Sequence, residues 1–182
     1  MTKPLTSGNY SAEEVVALLG LQPLDQEGGW FRRTGESALM LPAAVLPPVP
    51  GGDRRAFSLS YALFTAAGFS ALHRLAPEEV WCFHAGDALE MLQLSPLGGI
   101  RVRLGAGLAE GEQLHAVVPA GHWQGTRLVP GGRWALISML VVPEFTWRDF
   151  ELGDRAALTA RYPAWSGDIA ALTRAQPPSG SK

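Results

Sequence analysis

Hydrophobic and polar positions along the chain change period several times, and each change marks an element. Between Ser11 and Gly20 the apolar residues Val15, Val16, Leu18 and Leu19 share one side of a 3.6-residue repeat. Ser11-Ala12-Glu13-Glu14 in front of them fits a capping box, and Gly20 behind them suits the left-handed residue that closes a helix. Residues 30–34 read as a strand. From Phe57 the period falls to two, with Phe57, Leu59, Tyr61 and Leu63 on one face and Ser58, Ser60 and Ala62 on the other, the pattern of a half-buried strand. Further strands are predicted at 71–75, 79–84, 89–94, 100–104, 114–118, 122–128 and 134–142, separated by Gly, Pro and Asp. The last of these, WALISMLVV, is apolar on both faces and is predicted to be the most buried. Such regular punctuation points to an antiparallel sandwich or barrel.

The stretch 38–53 is rich in proline and lacks periodicity, so it reads as a long loop within a domain. After Pro143 the pattern turns helical: Asp154 is placed to cap a helix reaching Arg161, Pro163 interrupts, and a second helix is predicted over 166–175. Residues 176–182 form a polar tail expected to lack order. The expected organisation is an N-terminal extension over 1–10, one domain over 11–175, and the tail.

Composition narrows the function classes. The 182-residue chain is 47% hydrophobic and 18% charged, enough for one domain with a real core. Its net charge is −2 and its lysines stand only at positions 3 and 182, so no basic stripe suits it to nucleic acid. Cys82 is the single cysteine, which excludes an intrachain disulfide and a zinc site built on several thiolates, and fits a reducing compartment. No long apolar run suggests a secretion signal or a membrane span, so a cytoplasmic location is expected.

Candidate chemistry concentrates between Gly68 and Leu89, where His73, Glu78, Glu79 and His84 lie among strand-forming residues. Strand alternation sorts them: His73 shares a face with Ala71 and Leu75, and Glu79 shares one with Trp81 and Phe83, opposite His84. Gln124, on one face with His122 and Thr126, is a third polar candidate. Imidazole beside carboxylate serves either a metal or an acid/base pair. Tyr61 is a ligand candidate if its strand face lines the interior. Arg74, opposite His73, is a candidate for a ligand anion at the rim, and Glu27 for a carboxylate that two glycines swing over a cavity. Trp30, Trp81 and Trp123 are candidate flat walls for a ring-shaped ligand.

Gly68, His73, Glu79 and Gly86 resemble the first motif of the cupin superfamily, and Pro119-Ala120-Gly121 followed by Gln124 resembles the second. EGGWF at 27–31, SALHRLAPEEVW at 70–81, AGDAL at 85–89, VVPAGHWQ at 117–124 and VVPEFTWRDFEL at 141–152 are similar to the fifth cupin family, which is largely uncharacterised. The resemblance implies an all-β jelly roll, the double-stranded β-helix, with short peripheral N- and C-terminal helices. It also implies a homodimer and a fold akin to deoxysugar-nucleotide 3,5-epimerases. This sequence departs from the pattern at Leu75 and Gln124, where the superfamily places histidine ligands, and at Asp25-Gln26, Cys82 and His84.

The resemblance implies a small-molecule ligand inside the barrel, and the likeness to epimerases implies an isomerase, epimerase or lyase acting on a carbohydrate-like or nucleotide-sugar substrate. In that reading His73 moves the proton, Glu79 orients it, and Tyr61, Gln124, Trp81, Glu27 and Arg74 bind ligand. A binding or storage module without turnover is the alternative. The third reading is a metal-dependent enzyme, so the cofactor stays open between none and one divalent ion held by His73, Glu79 and Gln124.

Overall fold

The computed structural model describes residues 3–46 and 52–174; the tail expected at 176–182 and part of the proline-rich stretch lie outside the described residues. Helix α1 (Ala12–Leu19) forms where the capping box predicts it. Ser11 Oγ accepts from Glu14 N at 3.2 Å, the Glu14 carboxylate accepts from Ser11 N at 2.7 Å, and Gly20 ends the helix at φ 61°. The strands follow as β1 (Gln22–Pro23), β2 (Trp30–Glu36), β3 (Met40–Leu41), β4 (Arg54–Arg55), β5 (Ser58–Thr65), β6 (Phe69–Leu75), β7 (Glu78–Gly86), β8 (Leu89–Ser95), β9 (Gly98–Leu104), β10 (His115–Val118), β11 (Trp123–Leu128), β12 (Trp134–Val142) and β13 (Phe150–Leu152). Helices α2 (Arg155–Arg161), capped by Asp154, and α3 (Ser166–Ala171) close the described chain.

Strand pairing is antiparallel and builds a jelly-roll barrel from two sheets. One has the order β1-β2-β5-β12-β7-β10 and the other β13-β6-β11-β8-β9, with β3 and β4 as a separate pair. Strand β12 lies between β5 and β7 and is buried along most of its length, as its apolar run predicts. Two features depart from expectation. The proline-rich stretch contains β3 and a short 3-10 turn, and β13, read as helix-bound chain, pairs with β6 through Leu152 and His73. Three residues are too few to carry a period.

Apolar clusters on three levels hold these layers. Between the sheets lie Phe64, Trp81, Phe83, Met91 and Ile137, packed together out of water. Leu72, Leu92, Trp123, Leu158 and Ile169 seat the C-terminal helices on the outside of the five-stranded sheet. Val15, Leu63 and Trp134, with Tyr61 and Trp30, seat α1 on the outside of the other. Strand β5 therefore faces opposite to the simplest expectation. Its apolar face, with Tyr61 and Leu63, packs under α1, and its Ser58 and Ser60 point inward. The reason is that the interior divides along the strands: Ser58 and Ser60 of β5, Glu79 of β7 and Val141 of β12 line a cavity, and two to four residues further along each strand the core begins.

Candidate functional site

Sheet register aligns the polar residues that meet inside the barrel. Gln93 of β8, Gln124 of β11 and His73 of β6 stand directly opposite one another across three strands, and Glu79 approaches from β7 of the facing sheet. The Gln124 amide Nε2 donates to Glu79 Oε2 and lies 3.2 Å from His73 Nε2. His73 Nδ1 lies 2.7 Å from Ala71 O. A carbonyl oxygen only accepts, so Nδ1 carries the ring proton and Nε2 is the acceptor facing Gln124. Phe150 stacks on the imidazole with centroids 5.1 Å apart. His73 and Gln124 are 1% exposed and Glu79 is 5% exposed, so this trio is withdrawn from bulk water.

A second carboxylate enters from the loop before β2. Gly28, at φ 112°, has room for no side chain, because a Cβ there would overlap the Phe69 carbonyl oxygen. The backbone thus passes close against β6. Ala71 N donates to Glu27 O at 2.8 Å, Arg174 Nη2 donates to the same oxygen at 3.2 Å, and Ser70 Oγ donates to Glu27 Oε1 at 2.8 Å. Glu27 is buried and lines the cavity with His73 and Glu79.

Burial and the neighbouring Glu27 charge push the Glu79 carboxyl up from the usual 4.5 to about 7, against the opposing influence of His73, Gln124 and Trp81. Trp81 Nε1 makes no hydrogen bond among the described residues, so it favours the ionised carboxylate only through its N–H dipole. A buried carboxyl that titrates near neutrality, in a cavity, is the condition for moving protons.

The cavity holds about 360 Å³. Phe31, Phe145 and Trp147 supply its aromatic walls, and Ser58, Ser60, Thr146 and Arg33 supply its remaining polar ones. The roof, around Phe145, is strapped down. Arg54 and Asp149 form a buried ion pair at 2.6 Å, Arg54 also donates to Glu144 O, Phe145 N donates to Ser58 Oγ at 2.9 Å, and Arg33 Nη2 donates to Phe145 O at 3.2 Å.

The structure brings His73, Glu79, Gln124 and Glu27 together and leaves the other sequence candidates elsewhere. Tyr61 faces outward, edge-on to His84 with centroids 5.8 Å apart, because its strand face is the one α1 covers. Arg74 also points outward, where it lies over the Trp123 ring at 4.7 Å and donates to Glu151 at 2.7 Å. Trp81 is inside but fully buried, stacked on Phe64, and forms packing beside Glu79 instead of cavity wall. Trp30 and Trp123 belong to the outer clusters. Of the walls that sequence reasoning missed, Ser58 and Ser60 were signalled weakly by the polar face of β5, Phe145 and Trp147 by the aromatic run in VVPEFTWRDFEL, and Arg33 by nothing.

The family profile described as Cupin superfamily (DUF985) matches residues 13–153. The chain belongs to this cupin family. No curated protein matches it in sequence. Among solved structures, this cupin is similar to a hypothetical protein from Leishmania major, with 29% identity over 90% of this chain and 99% of that one and a TM-score of 0.81. It is also similar to protein SO0799 from Shewanella oneidensis, at 32% identity over 92% and 99% of the two chains, with a TM-score of 0.78. An oxalate decarboxylase shares the fold alone, at 12% identity over 88% of this chain and 39% of that one, with a TM-score of 0.51. No helix among the described residues is long and apolar enough to cross a membrane.

The divalent metal that the cupin fold implies does not suit these residues. Among the described residues no three His, Cys, Asp or Glu side chains gather closely enough to hold one. Leu75 lines the cavity as an apolar wall, and Gln124 turns an N–H toward the lone pairs of both His73 and Glu79. Transition metals need lone pairs directed inward from three or four donors.

Proposed function

We propose that this cupin is an enzyme of proton transfer, an isomerase, epimerase or lyase, acting on a small carbohydrate-like ligand in the barrel cavity without a metal. The observation that carries this reading is the buried Glu79 carboxyl, which titrates at about 7 beside the cavity. Ionised Glu79 takes a proton from a carbon next to a carbonyl, and the C–H electron pair moves toward that carbonyl as an enolate forms. In isomerisation Glu79 returns the proton to carbon; in elimination the pair expels the substituent on the next carbon. Proton transfer falls to Glu79 instead of His73, because both His73 nitrogens are engaged and Phe150 covers the ring. His73 acts through Gln124. The His73 Nε2 acceptor holds the Gln124 amide with the N–H turned to Glu79 Oε2, and once Glu79 is protonated its O–H is left to donate to the ligand. A hydroxyl of the ligand finds Glu27 on the wall.

Incubation in D₂O with a panel of aldoses, ketoses and nucleotide-linked deoxysugars tests the reading by mass spectrometry. Deuterium enters a substrate carbon at a rate that rises with pH through about 7, as the base form of Glu79 appears. Glu79→Gln lowers that rate roughly 10²–10⁴-fold. A second reading, a binding or storage module, draws on the way Gln124 already occupies both Glu79 and His73. Saturable binding of a panel member with neither deuterium uptake nor an elimination product establishes that reading and removes the first.

A further inference from the structure

We infer that the ligand carries an anionic group, a carboxylate or a phosphate, and that Arg33 binds it. The inference rests on the proton-transfer reading of the same cavity and adds the charge of its substrate. Strand register sets Arg33 of β2 directly opposite Ser60 of β5, so both side chains share the inward face, and both line the cavity. The guanidinium has five N–H donors. One is committed to Phe145 O at 3.2 Å, and the nearest carboxylate, Glu36, stands at a loose 3.9 Å. Bracing the roof uses one of these donors. Beside Arg33, the Ser60 hydroxyl makes no hydrogen bond among the described residues. Ser58 Oγ accepts the Phe145 N–H, which leaves its own O–H to donate. One wall therefore offers a guanidinium and two hydroxyls to a single acceptor group, the arrangement that planar carboxylates and phosphates match.

Charge orients the ligand in the same sense. The Arg33 side chain is 39% exposed, so the cation sits on the open side of the cavity. Glu27 and Glu79 are buried within. An anionic group is repelled from these carboxylates and drawn to Arg33, which directs the uncharged, reacting end of the molecule toward Glu79.

Calorimetric titration with two matched pairs, D-ribose 5-phosphate against D-ribose and D-gluconate against D-glucose, tests the inference and separates phosphate from carboxylate. Wild-type protein binds at least one anionic member roughly tenfold to a hundredfold more tightly than its neutral partner, the range that a hydrogen bond to a charged group contributes. Arg33→Met removes that preference and Arg33→Lys retains part of it; the lysine variant keeps the charge, so it reads out even where the methionine variant folds poorly. Equal affinity within both pairs, no anionic probe bound at 10 mM (about the weakest affinity such a contact leaves), or a preference that survives Arg33→Met each overturns it. Glu79→Gln distinguishes the two proposals. It keeps the anion preference while lowering the reaction rate, so an absence of both deuterium uptake and elimination product in wild type with the preference intact removes the reaction and leaves the Arg33 site.

Discussion

Replacing Glu79 by glutamine gives the most direct reading of the energy held in the site. The substituted amide keeps the shape of the carboxyl and an oxygen to accept from Gln124, but it cannot ionise. In the wild type Glu79 titrates at about 7 in the folded state against 4.5 as an ordinary carboxyl. Between those values the folded chain binds more protons than the unfolded one, so stability falls as pH rises through the window and the full cost is present above it. At roughly 1.4 kcal/mol per pH unit, ionising Glu79 in the fold costs about 3 kcal/mol. For a chain of this size that is roughly 6–12 °C in melting temperature. Differential scanning calorimetry of wild type and Glu79→Gln from pH 4.5 to 9 follows it, and subtracting one curve from the other cancels the remaining titrating groups. The two proteins melt close together at the acid end, and the variant gains on the wild type up to the alkaline end. Parallel curves refute the reasoning, because they mean Glu79 ionises in the fold at no cost.

Three further outcomes follow from the same geometry. Glu27→Gln removes the negative charge that helps hold the Glu79 pKa up, so the midpoint of the pH-dependent melting difference moves to lower pH; an unmoved midpoint assigns the shift to burial alone. Arg54→Met leaves Asp149 buried without its partner and costs about 3–5 kcal/mol in urea denaturation; a loss below about 1 kcal/mol means the pair does not hold the roof. Gly28→Ala forces a side chain against the Phe69 carbonyl at a positive φ, and lowers stability by more than about 1 kcal/mol while displacing Glu27.

The strands were legible because alternation is local: the segment around His73 and the one around Glu79 declare their faces within five residues. The grouping of His73, Glu79 and Gln124 was legible from strand alternation, although Glu79 arrives from β7 of the facing sheet and not from a strand paired with β6. The inward face of β5 was not. An apolar face tells a strand to bury it, and α1 offered Tyr61 and Leu63 a burial site as good as the barrel interior. Nor could the cavity walls be read from Phe145 and Trp147, which lie outside any strand and are positioned by Arg54, Asp149 and Ser58 from distant parts of the chain.

The clasp on Glu27 joins parts of the chain far apart in sequence. Both sheets are complete by residue 152, the last of β13. The Glu27 carbonyl takes its bond from Ala71 within the barrel, and Arg174, 22 residues beyond β13, grips the same oxygen and Gln26 O beside it. Both sheets thus close without Arg174, whereas the Glu27 carbonyl gains its second donor only where the segment after α3 lies across the five-stranded sheet.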